Sequence, residues 1–180
     1  MSRQPPETPQ KLGFRMPAEW DPHAATWLAW PHNRDDWPGK FDLIPPVFVK
    51  IAQTLSLSER VRIIADSPAS ETHVRRLLEQ ADTDLANVEF FHAKTDRSWT
   101  RDFLPLFVRR GREVAAVKFR FDGWARYDNH LSDDEAGHRV ARFAGLPSWE
   151  ATAEAAGTER PVVLEGGAID VDGEGTDDGA

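Results

Sequence analysis

The stretch "RVRIIADSPASETHVRRLLEQ", residues 60–80, changes its hydrophobic period near its middle, and this change decides the fold class. Its first seven residues are rich enough in β-branched and apolar side chains for a buried strand. Ser67 followed by Pro68 is a typical helix start, and an apolar face then recurs at helical spacing through Val74 and Leu78. A buried strand followed at once by an amphipathic helix predicts a mixed α/β fold.

The same alternation of strands and helices continues on both sides of this stretch. Strands are predicted over residues 24–31, 88–93, 103–108, 113–121, 160–167 and 168–173. Helices are predicted over residues 46–57 and 133–144, the second with Asp133 on the surface at its start. A strand–helix–strand unit therefore recurs at a period of roughly sixty residues, as internal repeats do. We expect residues 1–13 to form a loose tail and residues 14–180 to form one domain.

The charge of the chain narrows the class of partner. Its 30 acidic and 22 basic residues give a net charge of −8, whereas proteins that bind nucleic acid neutralise phosphates with Lys and Arg. We therefore expect a small cationic ligand and no nucleic-acid partner. The alternative, which charge alone leaves open, is an acidic surface that only keeps the protein in solution.

Cysteine count and hydropathy set further bounds. The 180 residues contain no cysteine, so they supply no disulfide, no thiolate metal ligand and no cysteine nucleophile. The six histidines stand in no metal-ligand pattern, and we expect no metal and no cofactor. No apolar run approaches the ~20 residues of a membrane span, and the first residues lack the apolar centre of a secretory signal. A cytoplasmic protein without membrane contact is the simplest expectation.

Two acidic residues stand where a binding site could form. The loop "TDRSWTRDFLP" carries Trp99, whose ring offers a cation–π surface, and Asp102, whose two oxygens can accept a fork of N–H donors. Glu165 follows an apolar run and precedes Gly166 and Gly167, which permit close backbone approach or a positive φ. Each has a structural alternative, a solvated loop for the first and an acid over a tight turn for the second.

Four motifs in order along the chain together resemble one known family. They are "GFRMPAEWDPHAATWLAWPHNRDDWPGKF", "DRSWTRDFLPLFV", "FDGWARYDNH" and "VVLEGGAIDVDGEGT". This set is similar to the amino-terminal half of the agmatine deiminase family, which includes the bacterial peptidylarginine deiminases of the pentein superfamily. The resemblance spans residues 14–176 and implies a five-bladed α/β propeller of ββαβ units, of which this chain would hold about half.

The resemblance also assigns roles to single residues. Asp102 and Glu165 fall where the family grips a guanidinium group, and Trp99 falls where it places an aromatic wall beside the substrate. The family's His-x-Asp pair and cysteine nucleophile follow the L-E-G-G motif, and these 180 residues contain neither. Attack on a guanidinium carbon requires a nucleophile. We therefore expect the site to be cut in half and this chain alone to be inactive.

The substrate that the resemblance implies is agmatine, hydrolysed to N-carbamoylputrescine and ammonia in putrescine biosynthesis. Leu104 and Asp122 depart from the residues usual in agmatine-specific members. Arg126 could pair with a substrate carboxylate, which would favour peptidyl or free arginine, although its stretch is also explained as an aromatic turn covering a sheet edge. A non-catalytic guanidinium-binding module and an inactive fragment are further alternatives, and a homo-oligomer stays open.

Overall fold

The computed structural model describes residues 7–124 and 127–174, which form two compact units. Pro22–Thr100 is the first, the parallel unit. The described residues of Met1–Asp21 and Arg101–Ala180 form the second, the hairpin unit. Helices and strands alternate in both units, so the predicted mixed α/β class is confirmed. Within the described ranges, no helix is both long and apolar enough to span a bilayer.

The parallel unit is a three-stranded sheet with two helices packed on it. Its elements are β1 (Ala25–Ala29), α1 (Ile44–Leu55), β2 (Arg60–Ala65), α2 (Pro68–Gln80) and β3 (Val88–His92). The strands are parallel in the order β1-β2-β3. Helix α2 begins as predicted, because the Ser67 hydroxyl accepts the Ser70 N–H at 3.2 Å and caps the first turn. The buried core consists of Trp30, Ala52, Val61, Ile63, Val74, Leu78 and Val88.

The hairpin unit is built around an antiparallel strand pair. Its main elements are β4 (Leu106–Arg110), β5 (Glu113–Lys118), α4 (Leu131–Phe143), β6 (Ser148–Glu150), β7 (Thr152–Ala155) and β8 (Thr158–Pro161). β4 and β5 are joined by a turn at Gly111, whose φ of +58° favours glycine. β6 pairs with β5 in parallel after α4, and β7 with β8 forms a separate exposed hairpin. A short helix, α3 (Thr100–Phe103), precedes β4.

The amino-terminal segment of the hairpin unit is attached to its sheet. Trp149 Nε1 on β6 donates a hydrogen bond to the Glu7 carbonyl at 2.8 Å. Arg110 Nη1 on β4 donates to the Leu12 carbonyl at 2.7 Å. The described part of the predicted loose tail, residues 7–13, is therefore held by partners that lie far away in the sequence, which no local pattern could reveal.

The predicted strand over residues 103–108 is wrong at its start. Phe103 ends α3 and is fully buried, and β4 begins only at Leu106. Pro105 lies between them and has no N–H to donate to a strand ladder. The prediction that Asp133 lies on the surface is also wrong, because this residue is fully buried. It lies at helical spacing from the other buried residues of α4, on the same inward stripe.

The predicted strands over residues 160–167 and 168–173 are wrong as well. β8 ends early, and Val163 forms only an isolated parallel bridge with Arg120. Gly166–Ala168 is instead a single 3-10 turn. Two adjacent glycines offer no side chains to pack on a pleated sheet, so the apolar run before them does not continue as a strand.

Candidate functional site

Asp102 and Glu165 lie close together in the hairpin unit, although they are far apart in the sequence. Asp102 is a half-buried residue of α3, and Glu165 is the residue that precedes the 3-10 turn Gly166–Ala168. The Gly167 N–H donates to Asp102 Oδ1 at 3.2 Å, across 65 residues of sequence. The R-D and L-E-G-G motifs therefore meet at one place in the fold.

The two glycines are required by close approach rather than by a positive φ. A Cβ added to Gly166 would lie 2.3 Å from the Arg101 carbonyl oxygen, and one added to Gly167 would lie 2.4 Å from Asp102 Oδ1. Real Cβ atoms do not approach oxygen that closely, and in both cases the neighbour belongs to the R-D motif. The glycine pair thus lets the Glu165 turn rest directly on the Asp102 helix.

The carboxylates of this site oppose one another's ionisation. Burial raises the pKa of Asp102 above its usual range, although the Gly167 N–H and the Arg101 charge act in the other direction. Burial also raises the pKa of Glu165, and the negative charges of Asp102 and Asp122 add to that rise. Asp122, which the sequence analysis noted only as a departure from the family pattern, is therefore a third acid within electrostatic reach.

The Arg101 guanidinium does not neutralise the acids by direct bonding. It donates to both carboxylate oxygens of Glu19, at 3.1 and 2.5 Å, and to the carbonyls of Gly166 and Ile169, at 2.9 and 3.1 Å. Within residues 7–124 and 127–174, no cationic side chain forms an ion pair with Asp102, Glu165 or Asp122. The site keeps a negative charge that its own described neighbours leave unpaired.

Trp99 belongs to the parallel unit, where a cation already lies over its ring. The carbon of the Arg97 guanidinium is 4.8 Å from the ring centroid, and Arg97 also forms a buried ion pair with Asp36. Arg126, the fourth predicted site residue, lies outside the described residues. The structure therefore joins two of the four predicted residues, Asp102 and Glu165, and describes Trp99 separately with its own unit.

A second partly buried acid of the hairpin unit, Asp134, was not predicted from the sequence. Asp134 Oδ1 accepts from Lys118 Nζ at 2.7 Å and from the Phe121 N–H at 2.9 Å. Burial favours a higher pKa for Asp134, but these two donors outweigh it and hold the pKa below its usual range. Burial lowers the pKa of Lys118, and its pairing with Asp134 offsets only part of that fall. No local sequence motif predicts this pair, because Lys118 lies on β5 and Asp134 lies on α4.

No three His, Asp or Glu side chains of residues 7–124 and 127–174 are arranged to hold a metal ion.

Comparison with known proteins identifies the family. The family described as Porphyromonas-type peptidyl-arginine deiminase matches residues 15–177. An agmatine deiminase of Ectopseudomonas mendocina is 34% identical over 175 residues, which cover 94% of this chain and 44% of that protein. The agmatine deiminase of Pseudomonas aeruginosa strain LESB58 is 32% identical, with coverage of 96% and 45%. The solved agmatine deiminase of Enterococcus faecalis superposes with a TM-score of 0.80 at 25% identity, covering 97% of this chain and 46% of its own.

These matches define the class of protein to which the fold and the paired acids point. The chain belongs to the Porphyromonas-type peptidyl-arginine deiminase family, and its relatives include agmatine deiminases. The resemblance stated from the four motifs is confirmed. The chain spans less than half the length of these curated relatives, 44 to 45%.

Proposed function

We propose that Asp102 and Glu165 bind a planar guanidinium cation and that this chain is part of an agmatine deiminase-like hydrolase. The observation that supports this best is the pair itself, two partly buried acids whose pKa values are raised with no described cation bonded to either. A cation placed against both acids would remove the repulsion between them. A guanidinium suits such a pair because its five N–H donors lie in one plane.

The proposed reaction is hydrolysis of a C–N bond of the guanidinium group. A thiolate attacks the guanidinium carbon, a histidine protonates the departing ammonia, and water releases the ureido product. The contribution of Asp102 and Glu165 is to hold the cation and orient its carbon for attack. These 180 residues contain no cysteine, so we expect this chain alone to bind the cation without turnover.

The whole protein is proposed to have the pentein propeller fold. The order β4-β5-α4-β6, with two antiparallel strands, a helix and a parallel third strand, corresponds to one ββαβ unit of such a propeller. Trp99 is proposed as an aromatic wall for the substrate, on the strength of the motif resemblance. The expected place of action is the cytoplasm.

Agmatine is the proposed substrate, with N-carbamoylputrescine as the product, since the curated relatives that match nearly the whole chain are agmatine deiminases. The second candidate is the guanidinium of free or peptidyl arginine, which the description of the matching family favours. Arg126, proposed to pair with a substrate carboxylate in that case, would decide between the two substrates.

Calorimetric titration of the purified chain tests the proposal. Agmatine, arginine and an arginine-containing peptide each present a guanidinium, and putrescine serves as a matched cation without one. We expect agmatine to bind and putrescine to bind at least about tenfold more weakly, because an ammonium cannot supply the planar fork. Asp102→Asn should weaken agmatine binding by about ten- to a hundredfold, the value of a hydrogen bond to a charged group. The exposed control Glu154→Gln should leave it unchanged. Equal affinities for agmatine and putrescine would overturn the proposal.

The same titration has a defined pH dependence. Only the ionised carboxylates attract a cation, and the pKa values of Asp102 and Glu165 are raised. Affinity should therefore be full above these raised values and fall as the pH drops through them. An affinity that stays constant through this range would show that neither acid contacts the ligand.

A further inference from the structure

Arg101 connects three segments of the hairpin unit through one guanidinium group. Its Nε donates to the Gly166 carbonyl at 2.9 Å, and its Nη2 donates to the Ile169 carbonyl at 3.1 Å, so that it spans the 3-10 turn after Glu165. The remaining donors engage both carboxylate oxygens of Glu19. We name this arrangement the Arg101–Glu19 bridge.

The segment that carries Glu19 is attached to the sheet of the same unit. Arg15 and Arg109 exchange backbone hydrogen bonds at 3.0 and 2.8 Å in an isolated antiparallel bridge. Ala18 is buried, and its backbone N lies so near Gly173 that a Cβ on this glycine would approach it to 2.6 Å. Although the Glu19 side chain is exposed, the bridge therefore connects the turn to a segment whose backbone is attached to the sheet.

The contacts of the turn place Glu165 beside Asp102. Gly166 rests on the Arg101 carbonyl and Gly167 donates to Asp102, so Arg101 and Asp102 hold the turn from two sides. Glu165 directly precedes this turn, and the Asp102 charge acts on it. A lateral movement of the turn would change the separation of the two carboxylates.

We propose that Arg101, held by Glu19, is a positioning residue that fixes the Gly166–Ala168 turn so that Glu165 and Asp102 face one cation together. This role concerns where Glu165 lies, and only the identity of the cation rests on the proposed function. Arg101 contacts the turn and acts through it, since its donors are directed to Glu19 and to two backbone carbonyls.

Two charge-conserving substitutions test this role. Arg101→Lys keeps the positive charge but loses the fork, and Glu19→Asp keeps the negative charge but shortens its reach by one methylene. The readouts are the carboxyl ¹³C titration of Glu165, the calorimetric affinity for agmatine and the urea midpoint. In both variants we expect the pKa of Glu165 to fall toward its ordinary value, because it moves away from Asp102 and into solvent. For Arg101→Lys we expect about tenfold weaker agmatine binding, the loss of roughly one charge-assisted hydrogen bond.

The chain offers a matched control. Arg110 and Glu113 form another exposed ion pair in the same unit, at 2.6 Å, and Arg110 also donates to a backbone carbonyl. Arg110→Lys and Glu113→Asp should leave both the Glu165 titration and agmatine affinity unchanged. All four variants should keep the wild-type urea midpoint, since exposed pairs contribute little to stability.

The outcomes separate this inference from the proposed function. A Glu165 titration that is the same in wild type, Arg101→Lys and Glu19→Asp would overturn the positioning role, whatever the chain binds. So would an equal shift in the two control variants. If the wild type binds no guanidinium compound while the Glu165 titration still depends on Arg101, the positioning role stands and the proposed function fails.

Discussion

The hairpin unit contains two partly buried acid sites whose charges are arranged in opposite ways. Asp134 faces Lys118 and a backbone N–H, so its charge is matched within the fold. Asp102 instead contacts the turn that follows Glu165, and its negative charge adds to the rise that burial causes in the pKa of Glu165. Burial acts on both sites, yet one acid ionises more readily than usual and the other less readily.

This difference separates a charge-matched pair from the proposed binding site. In a matched pair each charge offsets part of the desolvation cost of the other, whereas like charges held together reduce stability until a ligand of opposite charge arrives. A fold tolerates such an arrangement where it gains function from it.

Removal of the matched acid should cost the most stability. Asp134→Ala leaves the Lys118 ammonium, whose side chain is 3% exposed, without its carboxylate. We expect a loss of about 3 kcal/mol in the free energy of unfolding, the lower end for breaking a buried pair, because Asp134 is itself partly exposed. Urea unfolding measures it, with the exposed Glu135→Ala as control. A loss no larger than that of the control would mean that buried Lys118 does not depend on this carboxylate.

A methyl group at Gly137 should disturb the same site sterically. Its Cβ would lie 2.3 Å from the Phe103 carbonyl oxygen and 2.4 Å from Lys118 Cε. In an unobstructed helix, replacing glycine by alanine stabilises by roughly 0.5–1 kcal/mol. Here we expect Gly137→Ala to destabilise by about 1–3 kcal/mol, because the buried lysine stem has to move. Urea unfolding gives the sign of the change in the free energy of unfolding, and a gain in stability would contradict the close contacts of Gly137.

Removal of the Glu165 charge should have the smallest effect on the free energy of unfolding, and it should stabilise the fold rather than destabilise it. The folded-state pKa of Glu165 is raised, so the folded chain binds more protons than the unfolded chain between the ordinary and the raised value. The contribution of Glu165 to stability therefore falls as the pH rises through that window. Glu165→Gln should stabilise the fold at about pH 7 by a few tenths of a kcal/mol, discounted for solvent screening. Urea unfolding at about pH 4 and about pH 7 checks it, and a destabilised variant at the higher pH would contradict the like-charge description.

The elements whose apolar periodicity is complete were predicted from the sequence, whereas fully exposed strands and contacts between distant residues were missed. Helix α2 and its Ser67 cap followed from local pattern, and so did β2. β7 and β8 were missed because all eight of their residues are exposed and carry no apolar alternation. Although the binding role of Asp102 and Glu165 stays a prediction, these two acids were singled out because two motifs marked them. The Arg101–Glu19 bridge was not, because its partners lie 82 residues apart.

The cation that covers Trp99 has a practical consequence for the choice of denaturant. Arg97 lies between the Asp36 carboxylate and the indole ring, so the fold already contains a guanidinium held by an acid and an aromatic face. Free guanidinium ion has the same shape and charge, and it can compete for this place as well as bind at the proposed site. Unfolding curves in guanidinium chloride would then mix ligand binding with denaturation, because a ligand of the native state stabilises it by mass action. Urea carries no charge, and stability measured in urea reports on the fold alone.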